Sequence, residues 1–397
     1  MTKVYYKQLK NGLKVVFEKR DLPIISTCIM VGVGGFSETK ENKGVSHFIE
    51  HMVFKGTKNR NRKEITRFIE DKGGTLNAYT GESETCFWNT LPSKYLKESI
   101  ELNTDMVFNP KFDKKDFEEE KKVILQEVSM LHDMPLRYGY DKMKSLMYTS
   151  GGGLPTVGTK ESLHKLDIKT LKKFYNNNYG TNNMVLGVVG NANWKDILKE
   201  AEKLQDIRVD VKIPKIVKSN GEQLDERSGI NQASIRLSRH LSTLDNVKDV
   251  HAYLLFSNIL GKGMSSRLFE NIREKEGLCY SINSQMAITN TMSAGYITAG
   301  VSKQNIEKTK QLILKEISNM SNLTGKELDL AKEKEIHSNE VSSESSSNSL
   351  FDLSSNVLFG HIDYYTKYEE LINAVKLSEV KAFSKLKDYS FHALVPK

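Results

Sequence analysis

The chain has 397 residues, of which 38% are hydrophobic and 27% charged, the composition of a globular protein. Its length favours two or three domains over one. The net charge of +8 does not indicate a nucleic-acid partner, because the 58 basic and 50 acidic residues are intermixed and no basic stripe with interleaved aromatic residues occurs.

Cysteine usage and the N-terminal residues bear on location. Cys28, Cys86 and Cys279 are far apart and lack C-x-x-C spacing, which argues against a disulfide framework and a thiolate metal site and favours a reducing compartment. No early apolar run is long enough for a signal peptide or a membrane span. We therefore expect a cytoplasmic protein without a membrane span.

The first predicted domain covers residues 1–207. It opens with two strands that flank Asn11-Gly12, a dipeptide typical of hairpin turns. A buried strand at IISTCIMVGVGG, two helices and a strand at TLNAYTGESETCFW follow, and after further helices a strand ends near Asn191. Residues 208–229 have no helical period and contain proline, so we predict a linker there.

The second predicted domain, residues 230–397, begins with the same order of elements: strand, two helices, strand. HMVFKG in the first half resembles SNILGKG in the second, and RFIEDKGG resembles ENIREKEG, in the same order. A repeat of roughly 200 residues is far longer than the unit of a solenoid. The pattern therefore predicts a duplicated domain.

Residues 47–51 read HFIEH. On a helix over 42–55, His47 and His51 lie one turn apart on the same face and can both reach one ion. The helix is otherwise apolar almost all round, so burying the two histidines and Glu50 would be costly unless they share a partner. The pattern favours a divalent metal site over two core histidines beside a chance glutamate.

A third ligand is predicted on the next long helix, in DKKDFEEEKKVILQEVSML. Residues at alternating spacings of three and four form one stripe on a helix that starts near Asp113: Phe117, Glu120, Ile124, Glu127 and Leu131. Glu118 and Glu119 fall off this stripe and are predicted to face solvent. Either stripe glutamate, taken singly, could instead be a boundary residue turned outward.

These motifs resemble those of the pitrilysin-like inverzincin metallopeptidases, which carry H-x-x-E-H and a glutamate ligand 76 residues after the second histidine. Glu127 stands at that distance from His51. The stretch HFIEHMVFKGT is especially similar to the processing-peptidase branch of this family, mitochondrial and bacterial. Further similarity runs through GGTLNAYTGESET and GKGMSSRLFENIREKEGLCY.

The resemblance implies an α+β fold of two homologous domains, each a mostly antiparallel sheet backed by helices. Together they would form one jaw of a clamshell, and two jaws would close around a chamber. A chain of this length is one jaw. We therefore expect a homodimer, or a heterodimer with a paralogue.

The resemblance also implies roles for the motif residues. His47, His51 and Glu127 would hold one zinc ion per chain, with a position left for water. Glu50 would be the general base that takes a proton from the metal-activated water. Glu120 would support the ligands from outside the coordination sphere.

Substrate-binding residues are implied in both halves. Arg273 and Tyr280 match a family pair that binds the peptide backbone and stabilises the oxyanion; without the resemblance they read as a surface ion pair and a core aromatic. Asn77 and Ala78 match an edge strand on which peptides lie extended. The second-half positions aligned with HFIEH carry neither histidine nor glutamate, so no metal is expected there.

Three functions remain open at this point. The first is a zinc metalloendopeptidase for short or unfolded peptides, since an enclosed chamber excludes folded proteins. The second is the catalytic subunit of a heterodimeric processing peptidase that needs a paralogous partner. The third is a non-catalytic scaffold on the same fold. The intact H-x-x-E-H and Glu127 favour the first.

Overall fold

The computed structural model describes residues 3–397. The strands are β1 (Lys3–Gln8), β2 (Lys14–Lys19), β3 (Ile24–Val31), β4 (Thr75–Thr80), β5 (Thr85–Pro92), β6 (Met184–Gly190), β7 (Glu222–Arg227), β8 (Ala233–His240), β9 (Cys279–Ile288), β10 (Ser293–Val301) and β11 (Ser390–Pro396). The helices are α1 (Val45–Val53), α2 (Arg62–Glu70), α3 (Leu96–Phe108), α4 (Lys114–Asp133), α5 (Pro135–Met147), α6 (Lys160–Lys165), α7 (Ile168–Asn178), α8 (Trp194–Ala201), α9 (Val247–Gly261), α10 (Ile306–Asn319), α11 (Gly325–Ser343), α12 (Ser346–Leu358), α13 (Asp363–Thr366), α14 (Tyr368–Ala374) and α15 (Leu377–Ala382).

The first compact unit is built on a six-stranded sheet. Its strand order is β1-β2-β6-β3-β5-β4, and every neighbouring pair is antiparallel except β2 with β6. The predicted hairpin at Asn11-Gly12 is present, since β1 pairs with β2 and Gly12 has a positive φ of 85°. One face of the sheet packs on a core that includes α1 and α3, and β4 forms the edge nearest α1.

The second compact unit is built on a five-stranded sheet with the order β7-β11-β8-β10-β9. β7 pairs with β11 in parallel, and the other neighbours are antiparallel. This order repeats β2-β6-β3-β5-β4 of the first unit strand for strand. The predicted fold class, two homologous α+β domains with mostly antiparallel sheets backed by helices, is confirmed.

The units are not the contiguous domains that the sequence predicted. The first holds the chain up to Val128, Pro155–Pro214 and Glu340–Thr366, and the second holds Ser129–Leu154, Lys215–Asn339 and Lys367–Lys397. Residues 129–154 fall within the predicted first domain but belong to the second unit, and residues 340–366 fall within the predicted second domain but belong to the first unit. The predicted linker, 208–229, also contains a paired strand, β7.

The second face of each sheet accounts for this difference. In the first unit, α12 packs on β6, β3 and β2, and its Leu350, Leu353 and Val357 are buried against Met30 and Val185. In the second unit, α5 packs on β11 and β8. Strand runs as apolar as IISTCIMV are buried on both faces and need a cover on each.

Three smaller observations concern the rest of the chain. The second of the two helices predicted after the first strand of the second domain is wound as a π-helix over Phe269–Lys275. The three cysteines are buried and free. Within residues 3–397, no helix is both long and apolar enough to cross a membrane.

Candidate metal centre

Helix α1 carries the two motif histidines, and its start is fixed by buried charge. Gly44 lies at the N-cap with φ 92°, and an added Cβ would stand 2.8 Å from the carbonyl oxygen of Val157. The Glu38 carboxylate accepts hydrogen bonds from the backbone N–H groups of Gly44 at 3.0 Å and Ser46 at 2.7 Å. An anion at this end also complements the helix dipole. Lys43 pairs with Glu38 at 3.3 Å, so the buried carboxylate is not left uncompensated.

His47 and His51 converge with Glu127 of α4. His47 Nε2 lies 3.7 Å from Glu127 Oε1, and His51 Nε2 lies 3.6 Å from Glu127 Oε2. One ligand atom from each residue can be chosen so that all lie within 4.8 Å of one another. His47 is buried, whereas His51 and Glu127 are partly open to solvent.

These separations fit a shared metal ion. They are longer than hydrogen bonds. Ligand atoms at about 2.1 Å from a tetrahedral zinc ion lie about 3.4 Å apart, which is close to the two distances between a histidine nitrogen and a Glu127 oxygen. Two imidazoles and one carboxylate are also the donor set of catalytic zinc sites, which keep one further position for water. Among residues 3–397, this is the single group of histidine, cysteine and acidic side chains that could hold a metal ion.

Glu120 forms a hydrogen bond with His51, the second histidine of the motif. His51 Nδ1 is 2.8 Å from Glu120 Oε1, and Lys55 pairs with the other oxygen of the same carboxylate. Burial raises the pKa of Glu120, but the hydrogen bonds from His51 and Lys55 lower it more, so it lies below its usual value. An ionised Glu120 accepts a hydrogen bond from the Nδ1–H of His51, which leaves the Nε2 lone pair of His51 for the ion.

Glu50 lies beside this group, and a strand residue fixes its carboxylate. Thr80, the last residue of β4, donates a hydrogen bond from Oγ1 to Glu50 Oε2 at 2.5 Å. Burial raises the pKa of Glu50, and the hydrogen bond from Thr80 lowers it in part, so the net direction is upward. A carboxylate with a raised pKa is a stronger proton acceptor than one in water.

Asn77 and Ala78 lie on β4, at the edge of the six-stranded sheet. Ala78 donates its N–H to the Asn77 side-chain oxygen at 2.8 Å. An edge strand offers backbone donors and acceptors to a further strand. This placement agrees with the predicted peptide-binding strand, whose role stays a prediction.

Arg273 and Tyr280 lie together in the second unit. The Arg273 guanidinium carbon is 4.4 Å from the centroid of the Phe269 ring and 6.0 Å from that of Tyr280, distances at which a cation interacts with an aromatic face. Tyr280 is 76% exposed and stands on the edge strand β9, so it is not the core aromatic of the alternative interpretation. The role of the pair in binding substrate stays a prediction.

Two family models match successive parts of the chain. The model described as insulinase (peptidase family M16) matches residues 14–159, and the model described as peptidase M16 inactive domain matches residues 165–335. A protein from Rickettsia bellii named as an uncharacterized zinc protease is 31% identical over 70% of this chain and 68% of its own length. This chain belongs to peptidase family M16.

Other relatives extend the comparison over the whole chain. The uncharacterized zinc protease YmxG of Bacillus subtilis is 26% identical over 98% of this chain and 97% of its own length. The probable mitochondrial-processing peptidase subunit beta of Schizosaccharomyces pombe is 31% identical over 49% of this chain and 43% of its own length. The crystal structure of a protease from Helicobacter pylori covers both chains fully with a TM-score of 0.91 at 20% identity, which shows the same fold.

In this M16 protein, the second unit repeats the support of the metal centre without its ligands. With Gly56 aligned to Gly263, Leu254 and Asn258 of α9 stand where α1 has its histidines. Asn258 Nδ2 donates to Glu335 at 2.5 Å, and Lys262 pairs with the same carboxylate at 2.9 Å. The glutamate and lysine thus recur around an amide, whose weak basicity does not suit it to bind zinc.

Sequence reasoning missed three residues of the site in the M16 protein. Lys55 stands four residues after His51 and within the predicted helix 42–55, so its place near His51 could have been derived from spacing, although α1 itself ends at Val53. Thr80 and Glu38 come from a neighbouring strand and a preceding loop. Their contacts depend on how β4 and the loop pack against α1, which no periodicity in the sequence records.

A buried acid near the end of β4 makes the stability of the M16 protein depend on pH. Burial, with a contribution from the charge of Glu82, raises the pKa of Glu84 from 4.5 to about 7. The folded state therefore holds this proton more tightly than the unfolded state. This contribution of Glu84 to the free energy of unfolding is complete below pH 4.5 and is lost as the pH rises through 7. The contribution is about 3 kcal/mol at most, because part of Glu84 contacts solvent.

We therefore expect Glu84→Gln to raise the melting temperature at pH 8, by up to about 6 °C, and to change it little at pH 5. Thermal unfolding of both proteins at the two pH values measures this. Glu70→Gln, at an exposed position, is the matched control and should shift neither value. An equal effect of Glu84→Gln at pH 5 and pH 8 would contradict the assignment.

Proposed function

We propose that this protein is a zinc metalloendopeptidase that hydrolyses short or unfolded peptides. The observation that carries the proposal is the convergence of His47, His51 and Glu127, in which each histidine Nε2 lies 3.6–3.7 Å from a carboxylate oxygen of Glu127. Thr80 holds the Glu50 carboxylate by a hydrogen bond. Relatives named as zinc proteases support the proposal. A scaffold would have no need for this arrangement of ligands and base.

In this proposal each residue of the site has one task. His47, His51 and Glu127 hold one zinc ion, which when bound polarises the peptide carbonyl and lowers the pKa of a water molecule. Glu50 takes a proton from the attacking water and delivers it to the leaving amine nitrogen. Glu120 keeps His51 in the tautomer that presents Nε2, and Lys55 keeps Glu120 ionised.

The substrate class follows from the edge strand. A peptide added alongside β4 is bound through its backbone, so affinity depends little on side chains but requires an extended segment. Folded proteins do not offer such a segment without local unfolding. We therefore propose that the enzyme has a loose sequence preference and requires an unfolded chain. In this proposal Asn77 and Ala78 bind the peptide. Arg273 and Tyr280 stabilise the oxyanion.

The test uses the purified protein alone. Its zinc content is measured, and digestion of a pool of unstructured peptides is followed by mass spectrometry before and after treatment with a chelator. We expect about one zinc per chain, activity lost with the metal, and activity regained when zinc is returned. The same protein substrate, offered native and then unfolded, should be cut only when unfolded. Activity that survives complete removal of zinc, or cleavage of compact native proteins, would contradict the proposal.

A second candidate is a catalytic unit shared between chains. The relative named as a beta subunit of the mitochondrial processing peptidase favours a partner, and so does the exposed aromatic ring of Tyr280. We propose a homodimer in which Glu50 of one chain acts with Arg273 and Tyr280 of its partner, or a heterodimer with a paralogue in the same arrangement.

Mixing two inactive variants, Glu50→Gln and Arg273→Ala, tests the homodimer. In a mixed dimer one of the two sites would contain an intact Glu50 and an intact Arg273, so activity should return in part. Each variant mixed with itself is the control. No recovery after confirmed subunit exchange would exclude a site shared between copies of this chain.

A further inference from the structure

Within residues 3–397, one strand residue, Thr80, donates a side-chain hydrogen bond to the proposed base, Glu50. Its Oγ1 lies 2.5 Å from Glu50 Oε2. Both residues are half-buried, so water competes only weakly for this bond. This bond holds one of the two carboxylate oxygens of Glu50 against the strand.

The backbone of Thr80 lies at the free edge of the sheet. Gly81 donates its N–H to Glu84 across the turn at 2.8 Å, so alternate residues before it point their backbone groups to β5. By this alternation, Ala78 and Thr80 point theirs away from β5. The N–H of Ala78 agrees, since it bonds to the Asn77 side chain instead of to β5.

The same residue therefore has its side chain on the base and its backbone where an added peptide would pair. β4 also lies directly against α1, the helix that carries Glu50. Any shift of the strand end on pairing with a peptide would move the Thr80 hydroxyl, and with it the donor that orients the carboxylate.

We propose that Thr80 is a positioning residue that couples a peptide bound on β4 to the orientation of Glu50. This inference rests on the proposed peptidase function. Its role differs from that of Asn77 and Ala78, which would bind the peptide, and from that of Glu50, which would move the proton. A hydroxyl at position 80 is the required feature, and the rest of the threonine side chain serves packing.

The kinetic test compares Thr80→Val, which keeps the shape and removes the donor, with Thr80→Ser, which keeps the donor. Misplacement of a reacting group by about 1 Å can cost about 100-fold in rate. We expect Thr80→Val to lower kcat by about 10- to 100-fold with KM within about twofold and zinc content unchanged. Thr80→Ser should recover most of the loss. Thr75→Val, at an exposed position of the same strand, is the matched control.

Two results would overturn the proposal: unchanged kcat in Thr80→Val, or equal losses in Thr80→Val and Thr80→Ser. A double variant adds a third criterion. If Thr80 acts through Glu50, adding Thr80→Val to Glu50→Gln should lower activity no further, whereas independent roles would give additive losses.

A crystallographic test does not depend on activity. In zinc-loaded crystals of Thr80→Val, the Glu50 carboxylate should leave its wild-type position or occupy several, while His47, His51 and Glu127 stay in place. An unmoved, single Glu50 conformer would overturn the positioning role. This outcome is separate from that of the proposed function, because a protein that cleaves no peptide would still show whether Thr80 orients Glu50.

Discussion

Replacing Glu50 by glutamine is expected to lower kcat by about 10³-fold while zinc stays bound. The substitution removes the proton acceptor beside the metal centre, and general base catalysis contributes about 10²- to 10⁴-fold. It leaves His47, His51 and Glu127 untouched, so the ion keeps its ligands. The amide can still accept the hydrogen bond from Thr80, so the strand contact is preserved.

The measurement pairs turnover of an unstructured peptide with metal analysis of the same sample. Glu119→Gln, an exposed glutamate on α4 that touches none of the ligands, should behave as wild type in both. Near-normal turnover in Glu50→Gln would show that another group takes the proton. Loss of zinc would show instead that Glu50 supports the metal.

Replacing His51 by alanine is expected to abolish zinc binding under conditions where the wild type is fully loaded. The change removes a nitrogen ligand and also leaves Glu120 without its 2.8 Å hydrogen-bond partner. Affinity should fall by more than about 100-fold, beyond the roughly 10- to 100-fold loss typical of residues that only support a ligand. Competition for zinc against a chelator of known affinity measures the zinc affinity of the wild type and of His51→Ala.

The variant Glu120→Gln tests whether Glu120 supports His51 or is itself a ligand. An amide at position 120 can still contact His51 but lacks the negative charge of the carboxylate. We therefore expect zinc affinity to fall within the 10- to 100-fold range. The neighbouring Glu119→Gln should have no effect. A loss in Glu120→Gln as large as in His51→Ala would make Glu120 a ligand, and no loss would remove it from the site.

Local spacing predicted the parts of the site that lie on single helices. His47 and His51 share a face because they are four residues apart, and α1 and α4 form close to where periodicity placed them. The stripe on α4 also put Glu120 and Glu127 on the face turned to the core. Periods of three and four residues are properties of the helix itself, so they can be read from the sequence.

Contacts between elements could not be predicted in this way. Thr80 meets Glu50 because β4 is the edge strand that packs against α1, and strand order is a long-range property. The exchange of residues 129–154 and 340–366 between the units could not be predicted from the sequence for the same reason. An amphipathic helix such as α12 shows that it needs an apolar surface, but two similar sheets in one chain offer the same kind of surface.

Helix α12 has a consequence for how this chain reaches its native state. Ser346 at its start bonds to Ser26 of β3 at 2.9 Å, across 320 residues of sequence. While the chain is being synthesised, one face of the first sheet has no cover until residues 346–358 have emerged. Proteins dominated by such distant contacts fold slowly and expose apolar surface on the way. A fragment that ends at residue 207, where the sequence repeat ends, would leave Cys28, Met30 and Val185 open to water and would be prone to aggregate.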